Sequence, residues 1–285
     1  MKGYYYCSLN TFFNILKNKQ IYLSDPLKMN DNSEIKWYLE RLNSENNCNN
    51  HNRKTIYDMM KDRSGIDFTI EELIDILKYK GQNSVYISCF SKEPDVLSQW
   101  RSYADDGKGV ALGFNLDKFC RFSNIFIRDV IYTEDVVYTD QENDVECVSD
   151  TIYTVITEKK IKSEHEQLEV FLHELIPELV KYKNPAFSEE KEIRLIYCDE
   201  LKFEEIINEY GLFQVEWKSK KLNHEFRVIS NNNITEFVKL DFTSETIEDI
   251  YIGPKCLLNE NDVSKIVNRF LGSKVDIVKS KASYR

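Results

Sequence analysis

The sequence predicts an α+β fold: a mainly antiparallel sheet, continuous or split, with flanking helices and a helical insertion, all within one domain over residues 1–285. Three observations predict it. The last hundred residues alternate short apolar, β-branched runs (193–197, 213–217, 226–229, 237–240, 250–253) with few helical signals. A helical pattern is concentrated between about 140 and 182, where Pro177 kinks or ends part of it. No repeat period and no Pro- or Gly-rich linker divides the chain.

The elements follow in order. Tyr4, Tyr5 and Tyr6 read as an opening strand, and Ser8 caps a helix whose Leu9, Phe12, Phe13 and Leu16 recur at helical spacing. A short strand over 21–23 precedes a turn forced by Pro26 and its Asn and Asp neighbours, and Ser33 caps a helix through Trp37 and Leu42. Residues 43–54 form a polar, flexible loop, and Thr69 with Glu72 makes a capping box for a further helix. A strand over 85–90, a helix over 95–104, a stop at Gly107 and a strand over 110–114 make the central segment. Residues 125–138 read as a hairpin or one long bent strand, and the strands flanking the helical insertion should pair in one sheet. A closing helix carries Val263, Ile266, Val267, Phe270 and Leu271 on one face, before a last strand over 275–278.

Composition excludes several function classes. The formal net charge of −10 offers no general field for phosphate backbones, which leaves room only for a local basic pocket taking a small anionic ligand, a nucleotide or a strand end. Seven cysteines without a CxxC pair speak against zinc and against a disulfide framework, and so for a reducing cytoplasm. The opening MKGYYYCSLN has no secretory pattern and no window approaches eighteen apolar residues, so no membrane association is expected. There is no HExxH, no GxSxG and no Cys/His pair in a recognisable context, which disfavours hydrolase triads.

Two constellations carry chemistry. In SCFSKEPDVLSQWRSYADDGKG, Leu97, Trp100, Tyr103 and Ala104 share one helix stripe and Ser98, Arg101 and Asp105 another. Ser88 and Ser91 at the strand end, Arg101 on the helix and Lys108 in the glycine-flanked turn would converge on a phosphate or pyrophosphate. The plainer alternative makes Trp100 and Tyr103 core anchors, Arg101 a surface ion-pair partner and GKG a helix stop. In NPAFSEEKEIRLIY, a loop delivers Glu189, Glu190 and Glu192 into a strand bearing Arg194. Residues two apart share a strand face, so Glu190, Glu192 and Arg194 point the same way if the strand starts that early. A carboxylate beside an arginine stays ionised, which suits stabilising a cation or accepting from ribose hydroxyls. An ordinary ion pair on a strand edge is the alternative. Asn30, Asp31 and Glu34 could ligate a metal but read better as helix caps, and no metal is predicted.

Taken together, YYYCSLNTFFNILKNKQIYLSDPLKMNDNSE, YISCFSKEPDVLSQWRSYADDGKGVALGF, NPAFSEEKEIRLIY, IYIGPKC and a terminal SYR resemble the prokaryotic family known as domain of unknown function 2971 (DUF2971). More distantly, the order of Tyr4 to Ser8, then Ser91 with Tyr103, then Glu190 or Glu192 is similar to that of ADP-ribosyltransferases, with Tyr5 standing where those enzymes place a His. That likeness implies a split-sheet cleft and NAD as substrate, with no metal. Tyr5 or Tyr6 would touch the nicotinamide riboside, Tyr103 or Trp100 would stack on nicotinamide, and Arg101 would hold pyrophosphate, with Ser8, Ser91, Lys108 and Arg194 also among the cofactor-binding residues. Glu192 would bind the 2′-hydroxyl and stabilise the oxocarbenium ion. The implied role is an NAD-consuming transferase or glycohydrolase in phage defence or a toxin system, acting on a protein or nucleic-acid target. Two readings stand beside it: a non-enzymatic nucleotide sensor using Trp100, Arg101 and Lys108, and a metal-dependent nuclease using Asp31, Glu190, Glu192 and Lys191.

Overall fold

The computed structural model describes residues 1–26, 85–122, 124–132, 180–199, 220–229 and 233–284. The expected helices after Ser33 and Thr69, the polar loop over 43–54, the helical insertion up to residue 179, the strand over 213–217 and the Asn30, Asp31, Glu34 group lie outside them.

Strand β1 (Lys2–Cys7) leads into α1 (Leu9–Asn18) and β2 (Gln20–Ser24). The Ser8 hydroxyl accepts from the Thr11 amide, so α1 starts where the sequence places its cap, and Lys19 ends it in the left-handed conformation. β3 (Val85–Ser91), α2 (Leu97–Tyr103) and β4 (Val110–Asn115) form the central segment. α2 is shorter than the 95–104 expected, because Asp95 and Val96 are used otherwise. The Asp95 carboxylate accepts from the Trp100 indole at 2.7 Å and from the Lys281 amide at 2.7 Å, while the Val96 amide donates to the Tyr6 hydroxyl at 3.0 Å.

The apolar run after residue 124 breaks at Val130 into β5 (Ile125–Asp129) and β6 (Ile131–Tyr132), the latter parallel to β7 (Tyr182–Lys183). β8 (Glu192–Cys198), β9 (His224–Ile229), β10 (Asn233–Asp241), β11 (Ile247–Ile252), α3 (Glu260–Phe270) and β12 (Asp276–Lys279) complete the order. α3 opens on a capping box between Asn259 and Asp262.

Among the described residues, ten strands form one sheet in the order β12-β11-β4-β1-β3-β2-β10-β9, with β8 on β3 and β5 on β8. The fold is therefore α+β with a mainly antiparallel sheet, as expected. β5 and β8, which flank the expected insertion, pair with each other. Among the described residues, the exception to antiparallel pairing within this sheet is β11 with β12, which the intervening α3 brings back in the same direction.

Both faces of the sheet centre are covered. On one, α1 and α3 bury Phe12, Leu16, Val263 and Val267, with Phe13 edge-on to Phe270 at 5.3 Å. On the other, α2 drops Trp100 and Ala104 onto Tyr4, Tyr6 and Ala111. Three successive tyrosines in β1 are thus a strand packed on both sides: Tyr4 and Tyr6 face α2, and Tyr5 faces the α1 side.

The turn after α2 is held by backbone contact. Asp105 and Asp106 are left-handed, Gly107 has φ +82°, and the Gly253 and Lys255 amides donate to the carbonyls of Gly109 and Gly107. A Cβ at Gly109 would overlap the Cys7 carbonyl. Gly109→Ala is expected to lower stability by about 1–3 kcal/mol. Urea unfolding reads this, and a midpoint equal to that of the parent chain would mean that β1 and the turn part freely.

Candidate functional site

The pairing of β3 creates the site. Its one edge is laddered to β8 over all seven residues, from Val85↔Cys198 to Ser91↔Glu192. Its other edge is shared: β1 meets it at Tyr4↔Ser91 and β2 at Ser24↔Ile87. Beyond those points β1 follows β4 and β2 follows β10. The two strands joined by α1 therefore diverge, and a cleft of about 220 Å³ opens over residues 88–90 of β3.

Each wall comes from a different element. β1 contributes Tyr4, Tyr5 and Tyr6, and β2 contributes Tyr22 and Ser24. α2 presents Gln99 and Tyr103, four residues apart and therefore on one helix face. The short turn before β8 adds Phe187 and Glu190, β8 adds Glu192, β7 adds Lys183 and β9 adds Arg227.

A charged cluster lies at the β8 end. Glu192 and Arg194, two apart on the strand, face the same way, and Arg194 Nε donates to Glu192 Oε1 at 2.7 Å. Lys183 Nζ lies 2.9 Å from Glu192 Oε2 and 2.7 Å from Glu190 Oε2. The Tyr103 hydroxyl donates to Glu190 Oε1 at 2.8 Å. Burial opposes ionisation of Glu192, which is 3% exposed, but the Arg194 and Lys183 charges outweigh it. With hydrogen bonds from Arg194 and the Cys89 thiol, they hold its carboxyl well below the usual carboxylate range. Burial, and then the Glu190 carboxylate, push the Tyr103 hydroxyl up. Burial likewise pushes Tyr132, whose hydroxyl accepts from the Glu192 amide, up to about 12. These phenols stay protonated near neutral pH and can donate.

The structure brings together Tyr5, Tyr6, Ser88, Ser91, Tyr103, Glu190 and Glu192, drawn from four separated stretches of sequence. It does not bring the others. Trp100 is fully buried under α2, edge-on to Tyr6 at 4.8 Å, and is a core anchor. Arg101 is two residues from Tyr103 and so on the opposite side of the helix, exposed, with Tyr284 at 5.9 Å. Lys108 is exposed in the turn, so Arg101 and Lys108 do not converge with Ser88 and Ser91. Ser8 caps α1. Arg194 has no exposure and acts on the cleft through Glu192.

Glu190 is not in the strand, because residues Pro185–Glu190 form a 3₁₀ turn and Lys191 is left-handed. Glu190 reaches Glu192 by way of Lys183 instead. Lys191 turns outward to Glu93 at 3.1 Å, away from the role the nuclease reading gave it. Among the described residues no three His, Cys, Asp or Glu side chains are grouped to hold a metal.

Sequence reasoning missed Lys183, Gln99, Tyr22, Ser24, Phe187 and Arg227. A signal existed for Gln99, which sits one turn before Tyr103. Arg227 was hidden in a strand whose neighbours Phe226 and Val228 are exposed.

Fold and site together define an α+β protein with a cleft of about 220 Å³ where a mainly antiparallel sheet splits. Residues 99–195 match the model of the family described as "Protein of unknown function (DUF2971)", and over that stretch the resemblance read from the sequence is shown. The matched stretch supplies Gln99, Tyr103, Lys183, Glu190, Glu192 and Arg194, while the tyrosines of β1 and the residues of β2 and β9 fall outside it. No curated protein and no solved structure matches the chain. Among the described residues no helix is long and apolar enough to cross a membrane.

Proposed function

We propose that the chain acts on NAD, taking its nicotinamide–ribose end into the cleft and transferring ADP-ribose to water or to an acceptor on a protein or nucleic acid. One observation carries this reading: the carboxylates of Glu190 and Glu192 lie side by side at the foot of a tyrosine-walled split in the sheet, with Glu192 held ionised. At about 220 Å³ the cleft is smaller than the ~300–1,000 Å³ of sites that enclose a whole drug-sized ligand, which fits one end of a dinucleotide.

The chemistry follows from the charges. The bond between ribose C1′ and the nicotinamide nitrogen breaks with its electron pair leaving on nicotinamide, and positive charge spreads over C1′ and the ring oxygen. An ionised carboxylate in a partly dry site stabilises that charge as it forms. Glu192, held ionised, accepts from the 2′-hydroxyl. Glu190, the more accessible of the two, takes the proton from the attacking oxygen as the new C1′–O bond forms. The tyrosine rings pack the planar base.

Glu190→Gln is expected to lower nicotinamide release from NAD by about 10²–10³-fold, measured chromatographically on folded protein. A wild-type chain that neither binds NAD nor releases nicotinamide, alone or with candidate acceptors, would falsify the reading. The pairing of both Glu192 oxygens, Oε1 with Arg194 and Oε2 with Lys183, favours a second reading in which the cleft binds and does not turn over. That reading expects NAD to raise the Tm with no product formed.

A further inference from the structure

The cations bordering the cleft differ in one respect. Lys183 is committed to Glu190 and Glu192. Arg227, at the β2 side, has no carboxylate partner among the described residues. Its guanidinium lies 5.7 Å from the centre of the Tyr22 ring and 5.4 Å from that of Phe237, and its Nη2 donates to Ser24 Oγ at 2.8 Å. Two rings and a hydroxyl thus fix the orientation of a planar fork of donors that is always charged.

Ser24, Ser88 and Tyr5, which line the same cleft, are donors as well. Ser24 Oγ accepts from Arg227, so its own proton is left to give. Ser88 is 3% exposed, lines the same cleft, and its hydroxyl makes no hydrogen bond. A buried hydroxyl without a partner is rare in a folded protein and is accounted for when a ligand supplies one. Burial, with Arg227 pulling the other way, pushes Tyr5 up to about 12, so its phenol is also a donor at neutral pH. The carboxylates lie at the opposite, β8 end.

We propose that Arg227, Ser24, Ser88 and Tyr5 form an anion subsite that takes the phosphate or pyrophosphate of the ligand, so that the cleft is selective for phosphorylated compounds. A guanidinium fork with hydroxyls approaching from several directions suits a tetrahedral oxyanion. This rests on the NAD reading of the same cleft, with nicotinamide riboside at Glu190 and Glu192 and pyrophosphate at Arg227, the role the sequence had assigned to Arg101 and Lys108.

The test titrates the full chain, by calorimetry and by thermal shift, with inorganic pyrophosphate, NAD and nicotinamide riboside. Pyrophosphate raises the wild-type Tm. Arg227→Gln weakens pyrophosphate and NAD by about ten- to a hundredfold while leaving nicotinamide riboside unchanged, and Arg227→Lys falls between. Ser88→Ala, which removes an unbonded hydroxyl, keeps or raises the Tm yet weakens pyrophosphate. Pyrophosphate bound equally by wild type and Arg227→Gln, or not bound by wild type, overturns the proposal. NAD binding that ignores Arg227 leaves the NAD reading standing and removes the subsite. Pyrophosphate binding through Arg227 without NAD binding does the reverse.

Discussion

Arg194→Met should destabilise the protein by about 3–5 kcal/mol, and adding Glu192→Leu should restore most of that loss. Arg194 is fully buried and Glu192 is 3% exposed. Their attraction is strong because little water screens it, but both have given up hydration to reach the interior. Removing Arg194 alone leaves the buried carboxylate with Lys183 and without its closest cation. Replacing both by apolar side chains removes the charge that needed compensation, while Lys183 keeps Glu190. In thermal melts the single variant should fall on the order of 10 °C below the parent, with the double variant in between or close to it. A double variant no more stable than the single one would show that the pair itself, not the stranded charge, carries the stability.

The same pair predicts an acid response. The folded Glu192 carboxyl titrates below its unfolded value of 4.5, so its contribution is complete above that pH and is lost as the pH falls through the folded value. The double variant should therefore lose part of the acid-side slope of stability between about pH 4.5 and the acid unfolding region.

How much of this was legible in the sequence depended on the range of the interaction. The Ser8 cap of α1, which accepts from Thr11, and the pair of Glu192 with Arg194 act within two or three residues, so spacing alone placed them, whereas the Asn259–Asp262 box, equally local, was not read. The face of α2 was different. Apolar spacing grouped Leu97, Tyr103 and Trp100, yet Leu97 and Tyr103 are each 40% exposed while Gln99 and Trp100 are buried. Periodicity says which residues share a stripe; it does not say that the helix lies across the split, with Trp100 over β1 and Gln99 and Tyr103 over the cleft. Lys183 and Arg227 were beyond reach for the same reason. Lys183 meets Glu192 across a 3₁₀ turn, and Arg227 reaches Tyr22 only because β9, β10 and β2 are neighbours in the sheet. The family match, confined to 99–195, does not include β9 either.

Trp100→Ala should cost about 3–5 kcal/mol, and its effect should extend to the cleft that Trp100 does not line. Its indole fills the space between α2 and Tyr6, and its Nε1 donates to Asp95, which also accepts from Ser280 Oγ at 2.6 Å and from the Lys281 amide. One residue therefore ties α2 to β1 and, through Asp95, to the segment after β12. Farther along that segment the Tyr284 hydroxyl donates to Asp106 in the turn that ends α2. Gln99 and Tyr103 are carried by this same seven-residue helix, so loss of the anchor should displace the Tyr103 contact to Glu190 and weaken ligand binding in protein that is still folded. Trp100→Phe separates this from direct stacking on a ligand. It keeps most of the ring volume and loses the N–H, and Asp95 retains its other two donors, so a smaller loss of Tm and near-normal ligand affinity are expected. If Trp100 instead stacked on the bound base, Trp100→Phe would weaken binding while leaving the Tm almost unchanged, and the anchoring role assigned to it would fail.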